Sequence, residues 1–161
     1  MERALPWLGL LARLVVGAVW LVAGVLKVGS PSESIHSVEA YQIVPDSVSQ
    51  WIGVGLPAVE LVIGIALVLG VFVRGASVIS AILLAAYVVA IASVWARGIK
   101  IDCGCFGGGG ADPNAASSYP WEIARDVVLF AVSVFLVWLR RSRLALDALL
   151  FPSRPAPVEG D

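Results

Sequence analysis

Charge is scarce in this chain: 14% of its residues are Asp, Glu, Lys or Arg, against ~25% in typical soluble domains. The 11 basic and 12 acidic residues leave a net charge of −1, so there is no polycationic surface for a nucleic-acid partner. Cysteine occurs twice, which excludes a disulfide-dense secreted scaffold. No repeated alternation of apolar and polar residues over segments of ~10 residues is present, which argues against a transmembrane barrel.

Apolar bulk takes the place of charge. Hydrophobic residues make up 59% of the 161, against ~45–50% in soluble domains, and the mean hydropathy is +0.90. A soluble domain of this size cannot hide so much apolar surface, since roughly 55–60% of accessible surface is apolar even at ordinary composition. An ordinary cytosolic enzyme, a disordered tail and a nucleic-acid binder are excluded, and a membrane protein in contact with the lipid bilayer is expected.

Four apolar stretches, residues 8–28, 52–73, 76–96 and 123–139, each approach the ~20 residues that cross ~30 Å of hydrocarbon. Backbone groups in lipid must pair within their own segment, so the spans are predicted to be helices. The first span exceeds the about 7–15 apolar residues of a signal peptide and lacks a convincing cleavage site, so it is expected to be retained. The predicted fold is an all-α, integral membrane four-helix bundle over residues 1–146, with a flexible cytoplasmic tail over 147–161.

Basic residues set the orientation. Arg3, Arg74, Arg140, Arg141, Arg143 and Arg154 fall on one side, outnumbering Lys27, Arg97, Lys100 and Arg125 on the other. Both termini are therefore expected in the cytoplasm. Trp7, Trp51, Trp95, Trp121 and Trp138 fit the interface belts, whereas Trp20 lies mid-span and is expected to pack between helices.

The residue pair Arg74-Gly75 reads as a tight turn between the second and third spans. In the first outer loop, residues 29–51, Ser30-Pro31-Ser32-Glu33 fits a capping box with proline at the first helical position. A short interfacial helix ended by Pro45 is expected there. In the second outer loop, residues 97–119, glycine-rich sequence surrounds Cys103-Gly104-Cys105, and Pro120 is placed to begin the fourth helix.

Cys103 and Cys105 lie on the outer face in this topology, where disulfides are permitted. One intervening residue makes a small ring far from relaxed geometry, and such a bond is easily reduced. That favours thiol–disulfide exchange. A static disulfide gains little from so short a loop. Soft-metal binding by two thiolates (Cu, Zn or Hg) is a further reading, although the sole histidine, His36, lies in the other loop. A non-catalytic membrane scaffold for a redox partner is another.

Ionisable residues within spans cost ~2.5–3.5 kcal/mol at the centre on insertion scales and are functional candidates. Lys27, Glu60, Arg125 and Asp126 all fall in the outer half, below the cysteine loop. They can hold the helices together as ion pairs, with Glu60 facing Lys27 or Arg125. Alternatively, Glu60, Arg125 and Tyr41 line a quinone pocket, supplying hydrogen bonds and protons.

Over residues 10–139 the chain resembles the MauE branch of the DoxX-like family of small membrane proteins. The likeness rests on Arg13, Gly17, Ala23-Gly24 and Lys27, on Ala40-Tyr41 and Pro45, and on Leu56-Pro57 with Glu60 and Gly64. Its most specific elements are Cys103-Gly104-Cys105-Phe106-Gly107 and Arg125-Asp126. The resemblance implies a four-helix protein of the bacterial cytoplasmic (inner) membrane that works with an extracytoplasmic thioredoxin-like partner in disulfide chemistry. DoxX-type relatives include a subunit of a thiosulfate:quinone oxidoreductase, and the resemblance implies a redox role at the outer membrane face. In plan the chain is also similar to DsbB and VKOR proteins, but it lacks their second cysteine pair.

Overall fold

The computed structural model describes residues 5–104, 109–111 and 115–139. Cys105, the basic cluster at Arg140, Arg141 and Arg143, Arg3 and the tail at 147–161 lie outside the described residues. The elements are α1 (Leu5–Gly29), α2 (Pro31–Ala40), α3 (Asp46–Leu69), α4 (Val73–Ala96), β1 (Ile101–Asp102), β2 (Gly110–Ala111), a one-turn 3-10 helix (Ala115–Ser117) and α5 (Tyr119–Trp138). The described residues are thus all-α apart from a two-stranded antiparallel ladder pairing Ile101 with Ala111 and Asp102 with Gly110.

Three helices, Pro6–Gly29, α3 and α4, are long and apolar enough to cross a membrane. The fourth, α5, gathers Glu122, Arg125 and Asp126 into its first turns and is apolar thereafter. The long helices pack α1 on α3 and α4 on α5, joined by α1–α5 and α3–α4 contacts. All four contribute to one core, among them Val16, Trp20, Ile63, Leu67, Leu84 and Leu129. Large apolar side chains such as Val25, Val62, Ile82, Val89 and Val128 point outward. Water would oppose that arrangement and a bilayer accepts it. The chain is a multi-pass membrane protein.

The turn between α3 and α4 differs from the sequence expectation. It is made by Gly70 to Phe72, and Arg74 and Gly75 belong to the first turn of α4. The reason is the helix stop. Gly70 takes the left-handed conformation (φ 73°) and returns its N–H to the Ala66 carbonyl, the usual glycine C-cap. Val71 and Phe72 are as apolar as the spans they join, so hydropathy does not mark the break. At the other end, α3 begins at Asp46 rather than at residue 52. Lys27, in the last turn of α1, reaches Glu60, about four turns into α3. The start of α3 therefore runs past the end of α1 and forms a wall for α2.

The short helix after α1 is present, with Pro31 at its start, but Ser30 makes no side-chain cap, so the expected capping box is not formed. It ends at Ala40, and Pro45 instead precedes α3 as its N-cap. Its docking face is serine rather than the apolar side chains alone. Pro57 has no N–H, so the Gly53 carbonyl four residues earlier loses its helical donor. The Ser34 hydroxyl replaces that donor at 2.7 Å. Gly53 also allows close approach, since a Cβ there would stand 2.7 Å from the Ile35 Cα.

Glycine sets the α1–α3 seam in the same way. A Cβ on Gly24 would meet Leu61 Cγ at 2.8 Å, and one on Gly64 would meet Leu21 Cγ at 2.8 Å. Small residues let helix backbones approach closely in a membrane, where packing drives association. A polar chain crosses the core beside this seam. Trp20 Nε1 donates to Ser80 Oγ at 2.7 Å, Ser80 lies 3.0 Å from Ser133 Oγ, and Ser133 donates to the Leu129 carbonyl. Ser133 has one hydrogen and spends it on Leu129, so Ser80 donates to Ser133. Trp20 is 3% exposed and packs between helices, as expected.

Candidate functional site

The C-terminal ends of α1 and α4, the starts of α3 and α5, helix α2 and the cysteine loop all meet at one end of the molecule. The loop is built on a small apolar cluster of Ile91, Val94, Ile101, Ala115 and Tyr119, against which Tyr41, Cys103 and Ile123 pack. Tyr119 organises its base. Its hydroxyl accepts the Ile101 N–H at 2.9 Å and lies within reach of the carbonyls of Ile99 (2.9 Å) and Ile101 (3.0 Å), between which its single hydrogen is shared.

Cys103 follows β1 directly and is half-buried. The Tyr41 hydroxyl, from the end of α2, donates to its carbonyl at 3.0 Å. Arg97, which caps α4, donates in turn to the Tyr41 carbonyl and holds that tyrosine in place. Beyond Cys103, the Gly104 N–H donates to Asp102 Oδ1 at 2.9 Å, and Gly104 has φ 64°. A side chain is strained in that left-handed conformation and glycine is not. The turn therefore folds back at the residue between the two cysteines.

Glu122 completes this layer. It stands in the first turn of α5, one residue ahead of the apolar span that begins at residue 123. Burial raises its pKa above the ordinary 4.5; the neighbouring Cys103 side chain and the Arg125 charge oppose the rise, and Asp102 and Asp126 add to it. Its Oε2 is buried and has no hydrogen-bond partner among the described residues.

A second polar layer lies within the helices. Lys27 Nζ donates to Glu60 Oε1 at 2.6 Å, and the side chains are 6% and 0% exposed. The Tyr87 hydroxyl donates to the same oxygen, and Lys27 also lies 3.3 Å from that hydroxyl. Arg125 pairs with its neighbour Asp126 through Nε (3.0 Å) and Nη2 (2.9 Å), both to Oδ1. Lys27 is within electrostatic reach of Asp126 as well. Glu60 Oε2 and Asp126 Oδ2 are buried without hydrogen-bond partners among the described residues.

The structure thus distributes the five sequence-predicted site residues. Tyr41 stands against Cys103. Glu60 takes Lys27, one of the two partners expected for it, and Arg125 takes Asp126. Cys105 lies outside the described residues.

A family profile described as "Methylamine utilisation protein MauE" matches residues 5–139. The chain belongs to the MauE family. The methylamine utilization protein MauE of Paracoccus denitrificans is 30% identical over 124 residues, which cover 76% of this chain and 64% of that protein. This MauE-family chain therefore spans somewhat less than two thirds of that relative's length. No solved structure matches it.

Sequence reasoning did not single out Glu122, Tyr87 or Tyr119. Glu122 precedes Asp126 by four residues and Arg125 by three, the spacing of one helix face, and that was a usable signal. Tyr87 is a hydroxyl in the middle of an otherwise uncharged span, which also marks it. Tyr119 gave no signal, because its partners are backbone groups placed by the loop.

Proposed function

We propose that this protein performs thiol–disulfide exchange at Cys103 and Cys105, on the extracytoplasmic face of a bacterial inner membrane, with a thioredoxin-like partner. In this reading the four long helices span the bilayer with both termini in the cytoplasm, and α2 lies at the outer interface over the bundle. The observation that carries the proposal is the setting of Cys103. It is half-buried, its carbonyl is fixed by Tyr41, and the next residue, Gly104, turns in the left-handed conformation that favours glycine. A scaffold cysteine needs none of these supports.

In the exchange, a partner thiolate attacks one sulfur of the Cys103–Cys105 disulfide. That S–S bond breaks, a mixed disulfide forms, and the released thiolate takes a proton. The partner's second thiolate then attacks the mixed disulfide. The products are a partner disulfide and the Cys103/Cys105 dithiol, with two electrons transferred from partner to pair. The reverse sequence of bonds oxidises a partner.

A quinone is the proposed membrane acceptor, held by Glu60, Arg125 and Tyr41. When bound, it supplies a two-electron, two-proton sink. The buried oxygens of Glu60 and Asp126 that lack partners among the described residues support this reading, because buried acceptors call for donors and a quinol presents two hydroxyls. The Paracoccus relative is named for methylamine utilisation; exchange at this site is the step we assign to such a process here.

Trapping tests the reading. Cys103→Ser and Cys105→Ser each leave one thiol, which should hold a thioredoxin-like protein in a reductant-sensitive adduct from at least one variant. No adduct from either variant, with function unchanged in both, would sink it.

A further inference from the structure

Beside the seam of α2 and α3 the two helices leave a groove. The Ser34 hydroxyl holds the Gly53 carbonyl, and Gly53, lacking a Cβ, lets Ile35 of α2 rest against α3. The groove next to that contact has a volume of about 450 Å³, within the ~300–1,000 Å³ of small-ligand sites. Its floor is apolar, made by Ile35, Trp51 and Val54, and its rim carries His36, Glu39 and Gln50. Trp51 and Val54 are exposed and head a face of α3 on which Val62, Ile65 and Leu69 are exposed in turn, at helical spacing. The groove is therefore continuous with a surface that the bilayer covers. Helix α3 has 24 residues, about 36 Å at the rise of an α-helix, which exceeds the ~30 Å of hydrocarbon. Its first turns, which wall the groove, thus reach headgroup level, where tryptophans such as Trp51 are favoured.

We propose that this groove binds a phospholipid whose headgroup carries a primary ammonium, with the headgroup on the rim and the acyl chains along the exposed face of α3. The headgroup chemistry follows from one pair. His36 Nδ1 lies 3.1 Å from Glu39 Oε2, so an imidazole and a carboxylate stand side by side at the edge of an apolar floor. A phosphodiester is negative and takes hydrogen-bond donors, which the imidazole and the Gln50 amide supply. An ammonium is positive and has hydrogens to give, which Glu39 accepts. The zwitterion thus matches the rim in sign at both ends. A quaternary ammonium has no hydrogen for Glu39, and an anionic headgroup without a cation sets phosphate against that carboxylate. His36 is exposed and Glu39 half-buried, which keeps the headgroup at the water while the chains stay in lipid. The exposed face of α3 calls for a lipid of some kind, and the pair on α2 selects which. No cysteine enters this assignment, so it stands or falls apart from the exchange reading.

The test is native mass spectrometry of the full chain, released from detergent micelles after incubation with equimolar phosphatidylethanolamine, phosphatidylcholine and phosphatidylglycerol of the same acyl chains. A single phosphatidylethanolamine should stay bound through delipidation, preferred over each of the others by about tenfold, the factor that ~1.4 kcal/mol gives. Glu39→Gln keeps the size of the side chain and removes its charge, and it should abolish the preference over phosphatidylcholine. Val54→Trp fills the floor and should lower the retention of all the lipids several-fold. Glu39 lies at the surface, away from the Ser34 contact, so its variant decides the matter even if Val54→Trp fails to fold. Equal retention of the lipids, preference for another headgroup, or a preference unchanged in Glu39→Gln overturns the proposal. So does a second copy of the chain held in place of lipid and lost with Val54→Trp.

Discussion

The Ser34 hydroxyl hydrogen-bonds the Gly53 carbonyl at 2.7 Å, filling the gap that Pro57 leaves in α3. One imino acid in a membrane helix thereby creates the docking point for the helix that carries Tyr41 to the cysteine loop. Pro is tolerated in membrane helices when a neighbour satisfies the freed carbonyl, and here the neighbour is a side chain of a different element.

Ser34→Ala leaves that carbonyl buried without a donor and should destabilise the fold by ~1–3 kcal/mol. Pro57→Ala restores the helical N–H. In the Pro57→Ala background the cost of Ser34→Ala should fall toward zero. Thermal denaturation of the four proteins in detergent measures the cycle, and additive effects would show that the two residues act independently.

The Lys27–Glu60 pair predicts asymmetric losses. Lys27→Met strands a carboxylate that is 0% exposed and should cost ~3–5 kcal/mol, the range for breaking a buried pair from one side. Combining it with Glu60→Gln removes the stranded charge and should recover much of that loss. Thermal-inactivation half-lives provide the comparison. A double variant worse than Lys27→Met alone would mean that the pair does not act as a unit.

Tyr41→Phe removes the donor to the Cys103 carbonyl while keeping the ring. Loss of one such bond corresponds to ~0.5–1.5 kcal/mol, felt locally as loosening of the loop. Backbone amide exchange near Cys103 should accelerate several-fold, with the helix cores unchanged. Unaltered exchange would remove Tyr41 from the site.

The pH dependence of stability follows from Glu122. Its folded pKa is raised above the ordinary 4.5 by burial, so the folded state holds this proton more tightly than the unfolded chain does. The stabilising contribution is fully present below 4.5 and is lost as pH rises through the raised value. Glu122→Gln should abolish this fall and make the variant relatively more stable at neutral pH. Unfolding midpoints measured from pH 4 to 8 (about one unit apart) test the sign, and an unchanged fall in the variant would assign it to another carboxyl.

Much of this arrangement was legible in the residues. Long apolar segments with a few charges can satisfy their backbones in lipid only as helices, so the long helices followed from composition and length. Pro31 and Pro120 marked two helix starts, because a fixed φ and a missing N–H suit the first turn. Cys103 and Glu60 stood out for the same reason as each other: reactive or ionisable groups are rare in such a chain and costly where they fall.

Helix ends were less legible. The stop at Gly70 depends on a left-handed cap within uniformly apolar sequence, and the early start of α3 depends on α2 lying beside it. By itself the sequence determined the helical class and the membrane setting, because these follow from local content and from the cost of polar groups in lipid. Only the tertiary structure decided which polar groups meet. Glu60 takes Lys27 and Tyr87, Ser34 takes Gly53, and Cys103 takes Tyr41, since each pairing joins elements distant in sequence. Their geometry is set by close packing at glycine contacts such as Gly24 and Gly53, where the absence of a Cβ fixes how near two backbones can come.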